Sequence, residues 1–247
     1  MKKLWKITML TGIIFGIGCF SLMVRYSATK SVVITEQHEL KGEGNLEPLI
    51  DKILEEKKNY DFVVLINAAH GGENQGNTVN ELREKEITLE VGVALEKMSE
   101  EGEIGFFMIR QEDTDISNEN RANMIERIQP HMVVDLHVNA DAMNERTFGT
   151  SVVYNERFYR PGLTNAGIAD IMERNLVKEI QGKALGIVGD KQNKYPLLSM
   201  LQVPAVSVEM GYLTNKQEAD LLKKDKYQKK IALGIYKGVQ EIRKEMQ

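Results

Sequence analysis

Two histidines of this chain stand at the ends of strongly apolar segments, where α/β proteins commonly place reactive groups. His70 follows one such segment within Ala-Ala-His-Gly-Gly, and His137 lies near the end of another, Val-Val-Asp-Leu-His-Val-Asn-Ala. Side chains at the carboxyl ends of strands in an open sheet can converge at one edge. Neutral imidazole is a common zinc ligand, so both histidines are candidate metal ligands.

Two carboxylates complete a possible reaction centre. Glu84 lies at the start of the helix predicted after the His70 loop, where its side chain points towards the strand ends. Two histidines and one glutamate form a recurrent ligand set of catalytic zinc hydrolases, which leaves the fourth position for water. Glu209 ends the apolar segment Pro-Ala-Val-Ser-Val-Glu, and burial of a carboxylate is costly unless it has a partner or a task. Glu209 is therefore the candidate general base.

Each of these residues also has an ordinary structural interpretation when taken alone. A histidine at a strand end is often a satisfied structural residue, and Glu84 suits the dipole of a helix first turn. Glu209 and Asp135 could each belong to an ion pair, the latter with a neighbouring lysine or arginine. The separations of 14, 53 and 72 residues along the four candidates form no short motif. His38 and His131 have no supporting pattern, and we interpret both as surface residues.

The elements that must position these residues alternate along the chain. Five apolar segments are predicted as strands: 62–69, 105–110, 132–139, 149–155 and 205–212. Apolar residues at helical spacing mark the segments 87–98, 168–180 and 227–242. This alternation predicts an α/β fold with a single open, mostly parallel twisted sheet that is flanked by helices.

Composition excludes several classes of protein. The 247 residues are 42% hydrophobic and 28% charged, as in soluble globular domains, which excludes a disordered, collagen-like or polytopic membrane chain. The formal net charge of −4 gives no basic excess, so we expect no nucleic-acid partner. The single cysteine, Cys19, excludes an intramolecular disulfide framework and a metal site built on several thiolates.

The N-terminal segment differs from the rest of the chain. Residues 7–24 carry no charge and follow three lysines, which predicts a membrane-anchor helix with the remainder of the chain outside the cytoplasm. A cleaved signal peptide is an alternative, although no A-x-A site follows. A lipoprotein signal at Cys19 is another. We therefore predict an anchor or signal segment over 1–30, a linker with a short helix over 31–57, and a catalytic domain over 58–247.

Six segments in order resemble one enzyme family. They are VLINAAHGGENQG, LREKEITLEVGVAL, IRQEDTD with a downstream NR, VVDLHVNA, FGTSVVYN and PAVSVEMGYLTN. Together they resemble the zinc-dependent N-acetylmuramoyl-L-alanine amidases, type-3 catalytic domain, from about Phe62 to the C-terminus. The resemblance implies one Zn²⁺ per chain, with His70, Glu84 and His137 as ligands and Glu209 as the catalytic acid/base. It implies cleavage of peptidoglycan between N-acetylmuramic acid and L-alanine.

Some positions depart from the family pattern. Asn67 and Asn74 replace aspartates, Asp135 replaces a serine, and Ala69 replaces a glycine. None of these changes removes an implied ligand, but Asn67 and Asp135 alter the expected surroundings of the metal. Two alternatives therefore remain, a non-catalytic wall-binding or regulatory protein and another zinc peptidase.

The C-terminal segment and the short anchored layout are similar to those of sporulation amidases, which suggests a role in spore cortex maturation. A vegetative role in cell separation is the alternative. The sequence gives no indication of the oligomeric state or of the preferred stem peptide.

Overall fold

A computed structural model describes residues 45–101, 103–156 and 163–247. The predicted anchor or signal segment over residues 1–30 and His38 lie outside the described residues. Within the part of the chain that is described, no helix is both long enough and apolar enough to cross a membrane. All described residues belong to one compact unit, Gly42–Gln247.

A six-stranded sheet forms the centre of this unit, with the spatial order β4-β1-β5-β8-β6-β7. Its strands are β1 (Phe62–Ala68), β4 (Ile104–Met108), β5 (Met132–Asn139), β6 (Thr150–Tyr154), β7 (Ala184–Gly189) and β8 (Ala205–Tyr212). The first four in spatial order are parallel, β6 runs antiparallel to β8, and β7 runs parallel to β6. A separate two-stranded hairpin consists of β2 (Thr78–Val79) and β3 (Leu82–Arg83).

Seven α-helices among the described residues surround the sheet. They are α1 (Glu47–Glu56), α2 (Glu84–Glu96), α3 (Asn118–Ile128), α4 (Asn165–Ile180), α5 (Pro196–Met200), α6 (Lys216–Leu222) and α7 (Asp225–Met246). Helices α2 and α4 both pack against α7, and α3 contacts α1 and α5. Short 3₁₀ turns follow α1 at Lys57–Asn59 and α2 at Lys97–Glu101.

Side chains of β1 point alternately to the two faces of the sheet, and their burial shows that both faces are covered. All seven residues of β1 are buried. Phe62, Val64 and Ile66 share one apolar core with the buried faces of α2, α4 and α7. The residues between them point to the opposite face, where Asn67 contacts Arg121 of α3. Two covered faces require a continuous apolar strand, which is the pattern that the sequence shows.

The predicted α/β class, with a mostly parallel sheet flanked by helices, is confirmed by this topology. All five predicted strands are present. Strand β7 was not predicted, because it lies at the sheet edge with Leu185, Ile187 and Val188 partly exposed and carries no long apolar run. Helix α3 was also missed, because its polar composition leaves few apolar residues to show a period.

Candidate metal centre and active site

His70, Glu84 and His137 converge at one end of the sheet. Each offers a ligand atom, and these atoms all lie within 4.8 Å of one another. His70 Nε2 is 3.2 Å from Glu84 Oε2, and His137 Nδ1 is 3.0 Å from Glu84 Oε1. Three residues that are separated by 14 and 53 positions in the sequence therefore form one cluster.

A tight turn after β1 presents His70. Its backbone adopts the left-handed region with φ of 64°, and Gly71 follows with φ of 134°. The Nδ1 atom of His70 lies 2.8 Å from Oδ1 of Asn74, which is an acceptor and therefore requires a proton on Nδ1. Arg121 Nη2 donates to the carbonyl oxygen of His70 at 2.7 Å. These contacts leave Nε2 of His70 facing Glu84.

Glu84 is the first residue of α2 and is only 1% exposed. Its Oε2 accepts from the backbone N–H of Asn77 at 2.8 Å, and its Oε1 accepts from that of Val138 at 3.0 Å. Burial opposes ionisation, but hydrogen bonds from His137 and His70 outweigh it and hold the pKa of Glu84 well below its usual value. Glu84 is therefore an ionised, fixed carboxylate.

Close packing around the cluster depends on Gly76. A Cβ atom at this position would lie 2.5 Å from His70 Cδ2 and 2.6 Å from Glu84 Oε2. Gly76 also has a φ of 65°, which side chains rarely adopt. The loop thus passes beside both predicted ligands only because this residue has no side chain. No pattern in the sequence marks Gly76 as part of the site.

His137 lies on β5 between two carboxylates. Its Nε2 is 3.0 Å from Asp135 Oδ2, on the side away from Glu84. Burial alone would lower the pKa of His137, but the charge and the hydrogen bond of Asp135 raise it well above its usual value. The alternative in which Asp135 pairs with a lysine or arginine is wrong, because its contacts are His137, Ser207 and Asn67.

Glu209 lies beside this cluster, because it is the register partner of His137 on the neighbouring strand β8. It is 4% exposed, and burial raises its pKa above the usual value. Its Oε1 accepts a 2.6 Å hydrogen bond from the hydroxyl of Tyr195. Its Oε2 has no hydrogen-bond partner among the described residues. That unpaired oxygen is the candidate acceptor for a proton from a bound molecule.

Tyr195 is a site residue that sequence analysis missed. Asp190 accepts from the backbone N–H groups of Lys194 and Tyr195 at 2.8 and 3.0 Å, which fixes the loop before α5. The Tyr195 ring stands edge-on to His137 with a centroid distance of 5.4 Å. The segment KQNKYP has no period or motif, so nothing in the sequence marked it.

Two buried arginines hold the backbone of the His70 turn. Arg110 Nε donates to the carbonyl oxygen of Ala68, and one of its Nη atoms donates to the carbonyls of Ala69 and Lys85. Burial lowers the pKa of Arg110 to about 10. Arg121 bonds the carbonyl oxygens of Ala68 and His70. These guanidinium groups satisfy carbonyls that would otherwise be buried without donors.

The predicted ligands and Glu209 line one open cleft of about 540 Å³. Arg121, Lys194 and Tyr195 line the same cleft. His131 does not belong to it, because that side chain accepts from the backbone N–H of Val63 and stacks on Phe62. The exposure predicted for His131 is confirmed.

The donor set fits a divalent metal such as zinc. Two imidazoles and one carboxylate are the ligands of many catalytic zinc sites, which keep one position for water. Glu84 is ionised, and Glu209, whose Oε2 has no hydrogen-bond partner among the described residues, lines the same cleft. A side chain at Gly76 would occupy the space beside His70 Nε2 and Glu84 Oε2.

Comparison with known proteins gives the family. Residues 64–241 match the family model described as N-acetylmuramoyl-L-alanine amidase. The chain therefore belongs to the N-acetylmuramoyl-L-alanine amidase family, whose members are peptidoglycan hydrolases.

Three relatives illustrate this membership. The chain is 30% identical over 177 residues to the uncharacterized protein YqiI of Bacillus subtilis strain 168, which covers 71% of this chain and 82% of the relative. It is 28% identical over 191 residues to the germination-specific N-acetylmuramoyl-L-alanine amidase of the same organism, covering 72% and 78%. The crystal structure of an N-acetylmuramoyl-L-alanine amidase from Clostridium difficile 630 superposes with a TM-score of 0.67 at 27% identity, covering 75% of this chain and 98% of that one.

Proposed function

We propose that this chain hydrolyses the amide bond between the lactyl group of N-acetylmuramic acid and L-alanine in peptidoglycan. In this proposal, His70, Glu84 and His137 hold one Zn²⁺ and Glu209 is the catalytic acid/base. The observation that carries it is that Glu209, whose Oε2 has no hydrogen-bond partner among the described residues, lines the cleft in which the three ligand atoms converge.

A zinc ion held there would polarise the scissile carbonyl and lower the pKa of a bound water. The residues of this chain supply the proton transfers. Glu209 Oε2 takes the proton of the attacking water and then delivers it to the nitrogen of the leaving L-alanine. Tyr195 orients Glu209 through its hydrogen bond to Oε1, so that Oε2 remains the acceptor.

The charge state of the cleft agrees with these roles. Burial raises the pKa of Glu209, which makes it a better proton acceptor than an exposed carboxylate. The hydrogen bonds of Glu84 lower its pKa, so it remains an anion suited to a metal cation. The surroundings thus lower the pKa of one carboxylate in the cleft and raise the pKa of the other.

A substrate panel tests the activity against the alternatives. The full-length protein, loaded with zinc, is incubated with muropeptides and with plain peptides of the same stem sequence, and the products are identified by mass spectrometry. We expect release of stem peptides with a free L-alanine amino group from muropeptides only. Cleavage within the plain peptides would indicate another zinc peptidase. Stoichiometric zinc without cleavage would indicate the non-catalytic alternative.

We further propose that residues 7–24 anchor the protein in the cell membrane with the catalytic domain outside the cytoplasm. The uncharged segment behind three lysines supports this, and so does the location of peptidoglycan. Protease added to intact protoplasts should degrade the chain beyond Lys30, while carbonate washing should leave the protein on the membrane. A protected, carbonate-soluble protein would contradict the anchor and its orientation.

A role in spore cortex maturation is a proposal that the relative named germination-specific amidase supports. In a spore-forming host, deletion of the gene should leave division normal and yield spores whose cortex lacks muramic δ-lactam. Chained vegetative cells with a normal cortex would assign the protein to cell separation instead.

A further inference from the structure

Asp135 is a buried carboxylate that the proposed reaction does not use. It is 2% exposed and lies two residues before His137 on β5. Its Oδ2 is 3.0 Å from His137 Nε2 and accepts from Ser207 Oγ at 2.7 Å. Its Oδ1 accepts from Asn67 Nδ2 at 2.7 Å. Asp135 is not a member of the cluster of converging ligand atoms.

The contact between Asp135 and His137 determines which ring nitrogen can bind a metal. Both ring nitrogens of His137 face a carboxylate, and an ionised carboxylate can only accept hydrogen bonds. Glu84 belongs to the ligand cluster and Asp135 does not, so a metal bound in the cluster would take the lone pair of the nitrogen that faces Glu84 and leave the proton on the nitrogen that faces Asp135. That nitrogen is Nε2. Nδ1 of the same ring faces Glu84 Oε1 at 3.0 Å, within the ligand cluster. A neutral imidazole with its proton on Nε2 presents its lone pair at Nδ1.

Neighbouring strands fix the orientation of Asp135 itself. Asn67 on β1 and Ser207 on β8 are its register partners on either side. Arg121 donates to Oδ1 of Asn67, which leaves the Asn67 amide nitrogen directed at Asp135. The carboxylate therefore receives one donor from each adjacent strand. It cannot rotate away from His137 without leaving a buried donor unpaired.

We propose that Asp135 is a positioning residue that fixes His137 as the Nε2–H tautomer and thereby directs Nδ1 to the metal. The inference rests on the proposed metal site. It adds that the affinity of this site depends on a carboxylate that does not touch the metal, as histidine ligands commonly require.

The first experiment compares two matched variants of the full-length protein. Asp135→Asn and Glu218→Gln make the same carboxylate-to-amide change at buried positions. Glu218 accepts from the backbone N–H groups of Gly149 and Tyr212 and lies outside the metal cluster. Zinc affinity is measured by competition with a chromogenic chelator. We expect Asp135→Asn to raise the zinc Kd by about 10- to 100-fold, while Glu218→Gln leaves it within about threefold of the wild type.

A double variant distinguishes the effect of the Asp135–His137 hydrogen bond from the effect of a negative charge in the pocket. Asn67→Asp combined with Asp135→Asn keeps one carboxylate in the same pocket but places it beside Arg121 instead of His137. We expect the zinc Kd to remain as high as in Asp135→Asn alone. Recovery of the wild-type Kd would show that only local charge matters and would overturn the positioning role.

A spectroscopic measurement on the wild type keeps the proposal testable if a variant fails to fold. Long-range ¹H–¹⁵N correlation spectra of the zinc-loaded protein report the protonation of each ring nitrogen. We expect His137 to show a protonated Nε2 and a metal-bound Nδ1. A protonated Nδ1, or an unchanged Kd in folded Asp135→Asn, would overturn the inference. Normal zinc affinity without peptidoglycan cleavage would contradict the proposed function while leaving this inference standing.

Discussion

The hydroxyl of Tyr195 donates a 2.6 Å hydrogen bond to Oε1 of Glu209, and the ring of the same tyrosine stands edge-on to His137. One side chain from an unpatterned loop thus contacts both the proposed acid/base and a proposed ligand. Because Oε2 of Glu209 has no partner among the described residues, this hydrogen bond is what orients the carboxylate.

Removal of that hydroxyl should impair turnover but not metal binding. In Tyr195→Phe, the Glu209 carboxylate loses the hydrogen bond that opposes the effect of burial on its pKa. Its pKa then rises further, and a larger fraction of Glu209 is already protonated and unable to act as the base. An unsatisfied buried acceptor costs about 1–3 kcal/mol, and we expect kcat to fall about tenfold or more. Zinc content should be unchanged, since phenylalanine keeps the ring against His137. Steady-state kinetics and metal analysis check this, and an unaltered kcat would show that Tyr195 does not orient Glu209.

Single substitutions of the proposed ligands should abolish zinc binding. His70→Ala, Glu84→Ala and His137→Ala each leave only two protein ligands, and catalytic sites normally need three. His131→Ala is the matched control, because that histidine contacts Val63 and Phe62 away from the cluster. Zinc per chain is measured after dialysis. Stoichiometric zinc in any ligand variant would remove that residue from the set.

Gly76→Ala should disrupt the same cluster without changing a ligand. Its Cβ would collide with the side chains of His70 and Glu84, at distances of 2.5 and 2.6 Å. Gly186→Ala is the control, because Gly186 also has a positive φ but no atom within 4 Å of its Cβ position. Backbone strain costs about 1–3 kcal/mol in both variants. We expect only Gly76→Ala to lose zinc, and equal zinc contents would contradict the steric account.

Much of the fold could be predicted because burial leaves a strong pattern in the sequence. β1 and β5 are predominantly apolar segments, since helices cover both faces of the sheet. The edge strand β7 and the polar helix α3 lack that pattern. Their positions depend on packing against neighbouring elements, which composition does not reveal. The four candidate site residues stood out as polar groups at strand ends or at a helix start.

The rest of the site could not be predicted because it depends on contacts between distant segments. Tyr195 reaches Glu209 only through a loop that Asp190 holds, and no local pattern marks that loop. Gly76 is informative only once His70 and Glu84 are known to lie beside it. Asp135 could be identified as a departure from the family on the same strand face as His137, but its bonds to Asn67 and Ser207 required the register of the sheet.

The buried carboxylate of Glu218 should make part of the stability depend on pH. Burial raises its folded-state pKa above the unfolded value. The folded state then binds the proton more tightly, so this contribution to stability is complete below the unfolded pKa and is lost as the pH rises through the folded pKa. Glu218→Gln cannot titrate. From about pH 4 upwards, the unfolding free energy of the wild type should therefore fall relative to that of Glu218→Gln. Denaturant unfolding across that range measures it, and a pH-independent difference would contradict the raised pKa.

In the proposed reaction, Glu209 performs acid/base chemistry on the amide between N-acetylmuramic acid and L-alanine, beside a metal held by His70, Glu84 and His137. The most direct test digests purified peptidoglycan with zinc-loaded wild type and with zinc-loaded Glu209→Gln, and quantifies new L-alanine amino termini by mass spectrometry. We expect release by the wild type and a rate about 10²- to 10⁴-fold lower for Glu209→Gln at equal zinc content. Undiminished release by Glu209→Gln, or an intact bond in the wild-type digest, would contradict the proposed reaction.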